Sequence, residues 1–164
     1  MSRMASTSAD VLPTGSRIFT SIPDIFFIPE FVFGGLVWTL VASTLVDPTV
    51  SANPLGWVMF VSIFCFVMTT LWFFIFACGA NQGGIWPSLD VAYHFVAVLL
   101  YLSASVALAY VTVMLGTVAS AVPVLPPSIL KIYRLDIAAV VMSHLTTLLY
   151  FLHAIFSALR WKSS

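Results

Sequence analysis

Charge is the scarcest thing in this sequence. Only 7% of its 164 residues are Asp, Glu, Lys or Arg, against about 25% in ordinary soluble domains. Six basic and six acidic side chains cancel to a formal net charge of zero, which excludes the basic footprint of a nucleic-acid-binding protein. Cysteine is nearly absent as well. Cys65 and Cys78 are too few for a disulfide framework, and on one helix they lie about 20 Å apart along the axis, out of reach of each other. No N-x-S/T sequon occurs, and Ser2 excludes N-myristoylation. Enzyme signatures are missing: there is no HExxH, GxSxG, CxxC or phosphate-cradling glycine loop. His94, His144 and His153 show no metal-ligand spacing with either cysteine. The expectation is a protein without catalytic residues, cofactor or metal.

What is present is apolar: 61% of the residues, with a mean hydropathy of +1.09. No charge occurs in the 42 residues between Asp47 and Asp90, the 40 between Asp90 and Lys131, or the 23 between Asp136 and Arg160. A soluble fold cannot hide such stretches. A spanning helix needs about 20 mainly apolar residues, and four segments qualify: 25–46, 57–78, 89–115 and 137–159. The runs are continuous rather than alternating, which argues against a β-barrel. The expected fold is therefore an all-α, four-helix membrane bundle. Residues 1–24 and 160–164 are read as tails, and 116–135 as a long, apolar third loop that could lie on the membrane surface. Residues 1–24 also lack the apolar core of a signal peptide. Arg3, Arg17, Arg160 and Lys162 on the terminal side outnumber Lys131 and Arg134 on the other, so both termini are expected in the cytosol. Cys78, at the cytosolic end of its helix, is a candidate for S-palmitoylation.

Within the spans, small and polar residues recur at 3/4 spacing, which puts each row on one helix face. The rows are Glu30, Gly34, Val37, Val41 and Thr44; Ser62, Cys65, Thr69 and Trp72; Asp90, His94, Tyr101, Ser105 and Thr112; and Ala139, Ser143, Thr146, Tyr150, His153 and Ser157. Such rows are the expected packing seams in lipid, where small residues let backbones approach. Ser103/Ala107 and Ala154/Ala158 are further candidate contacts, within the bundle or between copies. Ionisable groups inside a membrane are functional candidates by default, and here these are Glu30, Asp90, His94 and His153. Glu30, His94 and His153 fall at similar depths, roughly 7–9 Å inside the cytosolic boundary at 1.5 Å per residue. Glu30 is thus expected to face a polar partner from the third or fourth helix. Two functions fit: a hydrogen-bonded cluster that fixes the packing, and the proton carrier of a small four-helix transporter. The lack of further charges along a path favours the first.

Several runs resemble a known family. They are Phe-Gly-Gly-Leu-Val-Trp at 33–38, Gly-Trp-Val-Met-Phe-Val-Ser at 56–62, Asp-Val-Ala-Tyr-His at 90–94, Tyr-Leu-Ser-Ala-Ser-Val at 101–106 and Ile-Ala-Ala-Val-Val at 137–141. With the ending Leu-Arg-Trp-Lys-Ser-Ser at 159–164, they are similar, in unbroken order over residues 18–164, to the MAL proteolipids of the MARVEL family. The resemblance implies a four-helix MARVEL domain with cytosolic termini. It implies a raft-associated, membrane-organising proteolipid that partitions with cholesterol and glycosphingolipids and supports vesicular and apical trafficking and myelin-type membrane assembly. The implied partners are those lipids, cargo membrane proteins and further copies of the chain. The implied locations are apical or myelin plasma membrane and trans-Golgi and endosomal vesicles. It also implies a sorting role for Arg160, Trp161, Lys162 and Ser163. The third loop departs from the family in length and apolarity. Spans of 22 to 27 residues suit a thick, sterol-rich bilayer, where mismatch sorts proteins.

Overall fold

The computed structural model describes residues 12–45 and 53–163. Four helices dominate: α1 (Phe27–Leu45), α2 (Leu55–Ala77), α3 (Trp86–Ala121) and α4 (Pro127–Ser163). Each is long and apolar enough to cross a membrane, and no strand occurs among the described residues. Helices are the physical solution for such runs, because in lipid every backbone N–H and C=O must find its partner inside the segment. α2 ends where Gly79 takes φ +74°, and the Ala80 N–H then donates to the Ile75 carbonyl at 3.0 Å. This left-handed glycine cap satisfies carbonyls that the helix would otherwise leave open.

α1 packs beside α2 and α4, and α3 beside the same two. The cross-helix pairs Phe27–Phe76, Thr69–Tyr93, Asp90–Ser157 and Glu30–His153 each join an early part of one helix to a late part of its neighbour. The bundle therefore runs up-down-up-down, and residues 12–26 meet the end of α4 at one end, called here the terminal end. The small and polar rows form its interior. Every member is buried except Trp72, which is half-buried. Large apolar side chains form the outer surface, among them Phe60, Phe74, Phe95, Val106 and Val113.

Three sequence expectations are corrected. The long third loop, 116–135, does not exist as a loop: α3 continues to Ala121 and α4 starts at Pro127, leaving 122–126 between them. Pro126 and Pro127 lie at the very start of α4, where a missing N–H costs nothing. Gly116 serves packing, since a Cβ there would meet Tyr133 Oη at 3.0 Å. The longer helices carry Asp136, expected outside the spans, into a buried position beside Thr44. At 36 and 37 residues, α3 and α4 exceed the length that about 30 Å of hydrocarbon requires, so they tilt or project beyond it.

The N-terminal segment is not a tail throughout. Leu12 and Ile18 are buried against Phe27 and Phe76, and Asn81 Nδ2 donates to the Pro13 carbonyl at 3.1 Å; residues 1–11 lie outside the described residues. Nor are residues 160–163 a tail, because α4 runs on to Ser163; Ser164 lies outside the described residues. The ends of the other spans shift little. α1 begins at Phe27 and α2 covers Leu55–Ala77, while Val46, the expected last residue of the first span, lies outside the described residues.

Candidate functional site

The terminal end of the bundle holds two stacked polar layers, and helix periodicity explains both. Asp90 and His94 are one turn apart on α3, and His153, Ser157 and Arg160 follow one another at 3/4 spacing on α4. The 3₁₀ turn Asp24–Phe26 leads directly into α1, which brings Asp24 and Glu30 to the same side.

The outer layer is an ion-pair bridge. Arg160 donates through Nη1 to Asp24 Oδ2 at 2.5 Å and through Nη2 to Asp90 Oδ2 at 3.1 Å. The Ser157 hydroxyl also donates to Asp90 Oδ2, and the Ser21 hydroxyl donates to Asp24 Oδ2 at 3.0 Å. Both carboxylates are fully buried at the side chain, and Arg160 is 16% exposed. A charge buried beside lipid is tolerable only when paired and hydrogen-bonded, and one guanidinium fork serves two carboxylates here.

The inner layer is Glu30 with the two histidines. Glu30 Oε1 lies 2.9 Å from His153 Nδ1, and Glu30 Oε2 lies 3.8 Å from His94 Nε2. His94 Nδ1 lies 2.8 Å from the Asp90 backbone oxygen and 3.2 Å from Asp90 Oδ1. The imidazoles stack with centroids 3.5 Å apart, and Phe27 packs edge-on against His153 at 4.8 Å. All three polar side chains are completely shielded.

Deeper in the bundle the polar contacts become hydroxyl-only. Thr69 Oγ1 lies 2.8 Å from Tyr93 Oη and 2.7 Å from Tyr150 Oη, and the Tyr93 hydroxyl donates to the Cys65 carbonyl at 3.2 Å. Tyr101, Tyr150 and Leu108 then fill the bundle centre, each no more than 1% exposed. The buried carboxylates and imidazoles thus gather at one end, with Asp136 apart from them beside Thr44 on the far side of the aromatic layer.

Glu30, Asp90, His94 and His153 are brought together. The α1 face that carries Glu30 also carries Gly34, where a Cβ would lie 3.3 Å from Tyr101 Oη. Of the other contact candidates, Ser103 accepts a hydrogen bond from Trp57 Nε1 at 3.1 Å, Ala107 packs on the core, and Ala154 is buried. Ala158 is half-buried. Cys78 is exposed at the end of α2, and Trp161 and Lys162 are exposed at the end of α4. Arg160 departs from its expected place in a cytosolic tail. Its guanidinium turns into the bundle because two buried carboxylates offer a stronger partner than water or lipid phosphate. Asp24 was not singled out from the sequence; its position just ahead of the first span was the available signal.

The family described as "Membrane-associating domain" (MARVEL) matches residues 19–156. Over the full length of both chains, the sequence is 49% identical to the myelin and lymphocyte protein of Homo sapiens and 46% identical to that of Canis lupus familiaris. It is 41% identical to plasmolipin of Danio rerio over 90 residues, about half of each chain. No solved structure matches it. A four-helix membrane bundle matched over most of its length, with full-length relatives near half identity, belongs to the MARVEL family of membrane-associating domains.

Proposed function

We propose that the chain is a non-enzymatic, membrane-organising proteolipid that partitions into cholesterol- and glycosphingolipid-rich membrane and supports vesicular and apical trafficking and myelin-type membrane assembly. The observation that carries this reading is the distribution of polarity. Glu30, Asp90, His94 and His153 gather with Asp24 and Arg160 at the terminal end, while the outer face is a belt of Phe, Val and Leu side chains. A carrier needs ionisable groups along a route, and the layer of Tyr101, Tyr150 and Leu108 interrupts any such route. The names of the full-length relatives, myelin and lymphocyte proteins, support the same reading. Cytosolic termini follow from the Lys and Arg distribution. Each molecule's effect on its lipids is small, so organisation requires clusters of copies.

The decisive test is reconstitution into giant vesicles of sphingomyelin, unsaturated phosphatidylcholine and cholesterol that separate into ordered and disordered phases. Enrichment in the ordered phase, without proton or drug flux, is the expected result. Equal recovery from the two phases removes the lipid-organising role. Proton-coupled flux abolished by Glu30→Gln would establish a transporter instead.

The sorting role proposed for the C-terminus is testable because its residues divide. Lys162→Ala, keeping Arg160 and Trp161, should shift steady-state localisation in polarised cells while the detergent-solubilised protein melts as the parent does. Lys162 contributes about 1 kcal/mol of attraction to an anionic leaflet, small against bundle stability but enough to tune sorting. Unchanged surface delivery overturns the role. For Cys78, exposed on the same end of the bundle, acylation is read out by a hydroxylamine-sensitive mass shift that Cys78→Ser removes.

A further inference from the structure

Among the described residues, charge balance at the terminal end is incomplete. Asp24, Glu30 and Asp90 are three shielded carboxylates, and Arg160 is the cation bonded among them. With both imidazoles neutral, the cluster carries an excess of two negative charges. Such an excess is costly in a low-dielectric interior. It calls for two protons or one divalent cation.

Two buried ligand atoms mark where a cation fits. Glu30 Oε2 and His94 Nε2 have no hydrogen-bond partner among the described residues. Glu30, His94 and His153 each bring one ligand atom to within 4.8 Å of the other two. A tetrahedral ion with bonds of about 2.0–2.2 Å places neighbouring ligands about 3.3 Å apart. Glu30 Oε2 and His94 Nε2 lie 3.8 Å apart, near that value, and His153 Nδ1 lies 2.9 Å from the other Glu30 oxygen, Oε1. The second layer of contacts is also that of a metal site. His94 Nδ1 donates to the Asp90 carbonyl, leaving Nε2 as a free acceptor, and the Asp90 carboxylate is itself held by Ser157 and Arg160. A ligand histidine anchored through its other nitrogen is the usual arrangement around protein metals.

We propose that Glu30, His94 and His153 bind one divalent transition-metal ion of the class that favours imidazole, with zinc as its type. The ion ties α1, α3 and α4 together at the terminal end. His153 takes part through Nδ1, its proton moving to Nε2 of the same ring, so the imidazole stays neutral and no charge beyond the ion's own is introduced. Its two charges balance the excess. The lipid-facing surface is untouched, so the site stands whether or not the chain organises membrane.

The test uses the full, untagged chain in detergent micelles, in a His144→Ala/Cys78→Ser background that removes the exposed competing ligands. Titration with cobalt chloride should saturate at one ion per chain, develop the visible bands of four-coordinate cobalt, and reverse on adding zinc chloride. Pulsed electron paramagnetic resonance of the copper-loaded chain should report two coordinated imidazoles. Glu30→Gln and His153→Gln, checked for helix content and monodispersity, should each weaken cobalt binding by at least about 10–100-fold. The proposal is overturned by any of three results: no saturable uptake, in which case two protons balance the cluster; uptake that both variants retain; or fewer than two imidazoles on copper. Should a variant fail to fold, the nitrogen count in the unsubstituted site decides alone.

Discussion

Replacing Arg160 with alanine should destabilise the bundle by about 3–5 kcal/mol, the usual cost of removing one partner from a buried ion pair. The guanidinium is the bonded cation for Asp24 and Asp90, at 2.5 and 3.1 Å. Without it, Asp90 keeps the Ser157 hydroxyl and Asp24 keeps that of Ser21, and neither neutral donor offsets a charge held away from water. Arg160→Lys should cost less, because an ammonium keeps the charge but cannot span both carboxylates as a planar fork. Adding Asp24→Asn to Arg160→Ala should recover part of the loss by removing one uncompensated charge. Contacting residues of this kind typically show coupling of about 0.5–3 kcal/mol. Reversible unfolding in mixed micelles of increasing dodecyl sulfate content measures each value. An Arg160→Ala chain within about 0.5 kcal/mol of the parent, the ordinary range for a surface substitution, would show that the bridge adds nothing. The same experiment bears on sorting. A mislocalised Arg160→Ala protein reports a damaged fold, whereas Lys162, exposed beyond it, can be changed while the bridge stays intact.

The packing of this bundle was largely legible in its sequence, and its ends were not. Rows at 3/4 spacing named the buried faces because helical geometry forces residues at that spacing together, as Glu30, Gly34, Val37, Val41 and Thr44 show. Similar depth along antiparallel helices was enough to bring Glu30 and His153 together across 123 residues of chain. Charge misled at the boundaries. Asp136 and Arg160 read as marks of where helix leaves membrane, yet Asp136 is buried within α4 and Arg160 bonds two buried carboxylates. Proline misled in the same region, since Pro126 and Pro127 start a helix as readily as they end one. The grouping of Glu30, His94 and His153 was legible as shared depth on three helices, but their distances and the stacking of the imidazoles come from the fold.

Gly34 is where the closeness of α1 to its neighbours can be tested most directly. A Cβ at that position would lie 3.3 Å from Tyr101 Oη and 3.9 Å from Thr146 Cγ2, so even a methyl group requires the tyrosine to yield slightly. Gly34→Ala should change stability little. The strain offsets the helix-propensity gain of about 0.8–1.0 kcal/mol that alanine has over glycine. Gly34→Leu should destabilise by about 1–3 kcal/mol, the cost of forcing extra methylenes into a packed interior. It should also loosen the Glu30–His153 contact, one turn away on the same face. Tyr101 provides the control. Its hydroxyl is buried and lacks a partner, so Tyr101→Phe alone should be neutral or mildly stabilising, because an unsatisfied polar group is removed with nothing lost. In the Tyr101→Phe background the methyl of Gly34→Ala has room, and the double variant should exceed the parent by about 1 kcal/mol, the propensity gain now unopposed. Unfolding in mixed micelles reads all four variants. A Gly34→Leu chain as stable as the parent, or an alanine effect that ignores Tyr101→Phe, would mean that α1 does not approach α3 and α4 closely at this level.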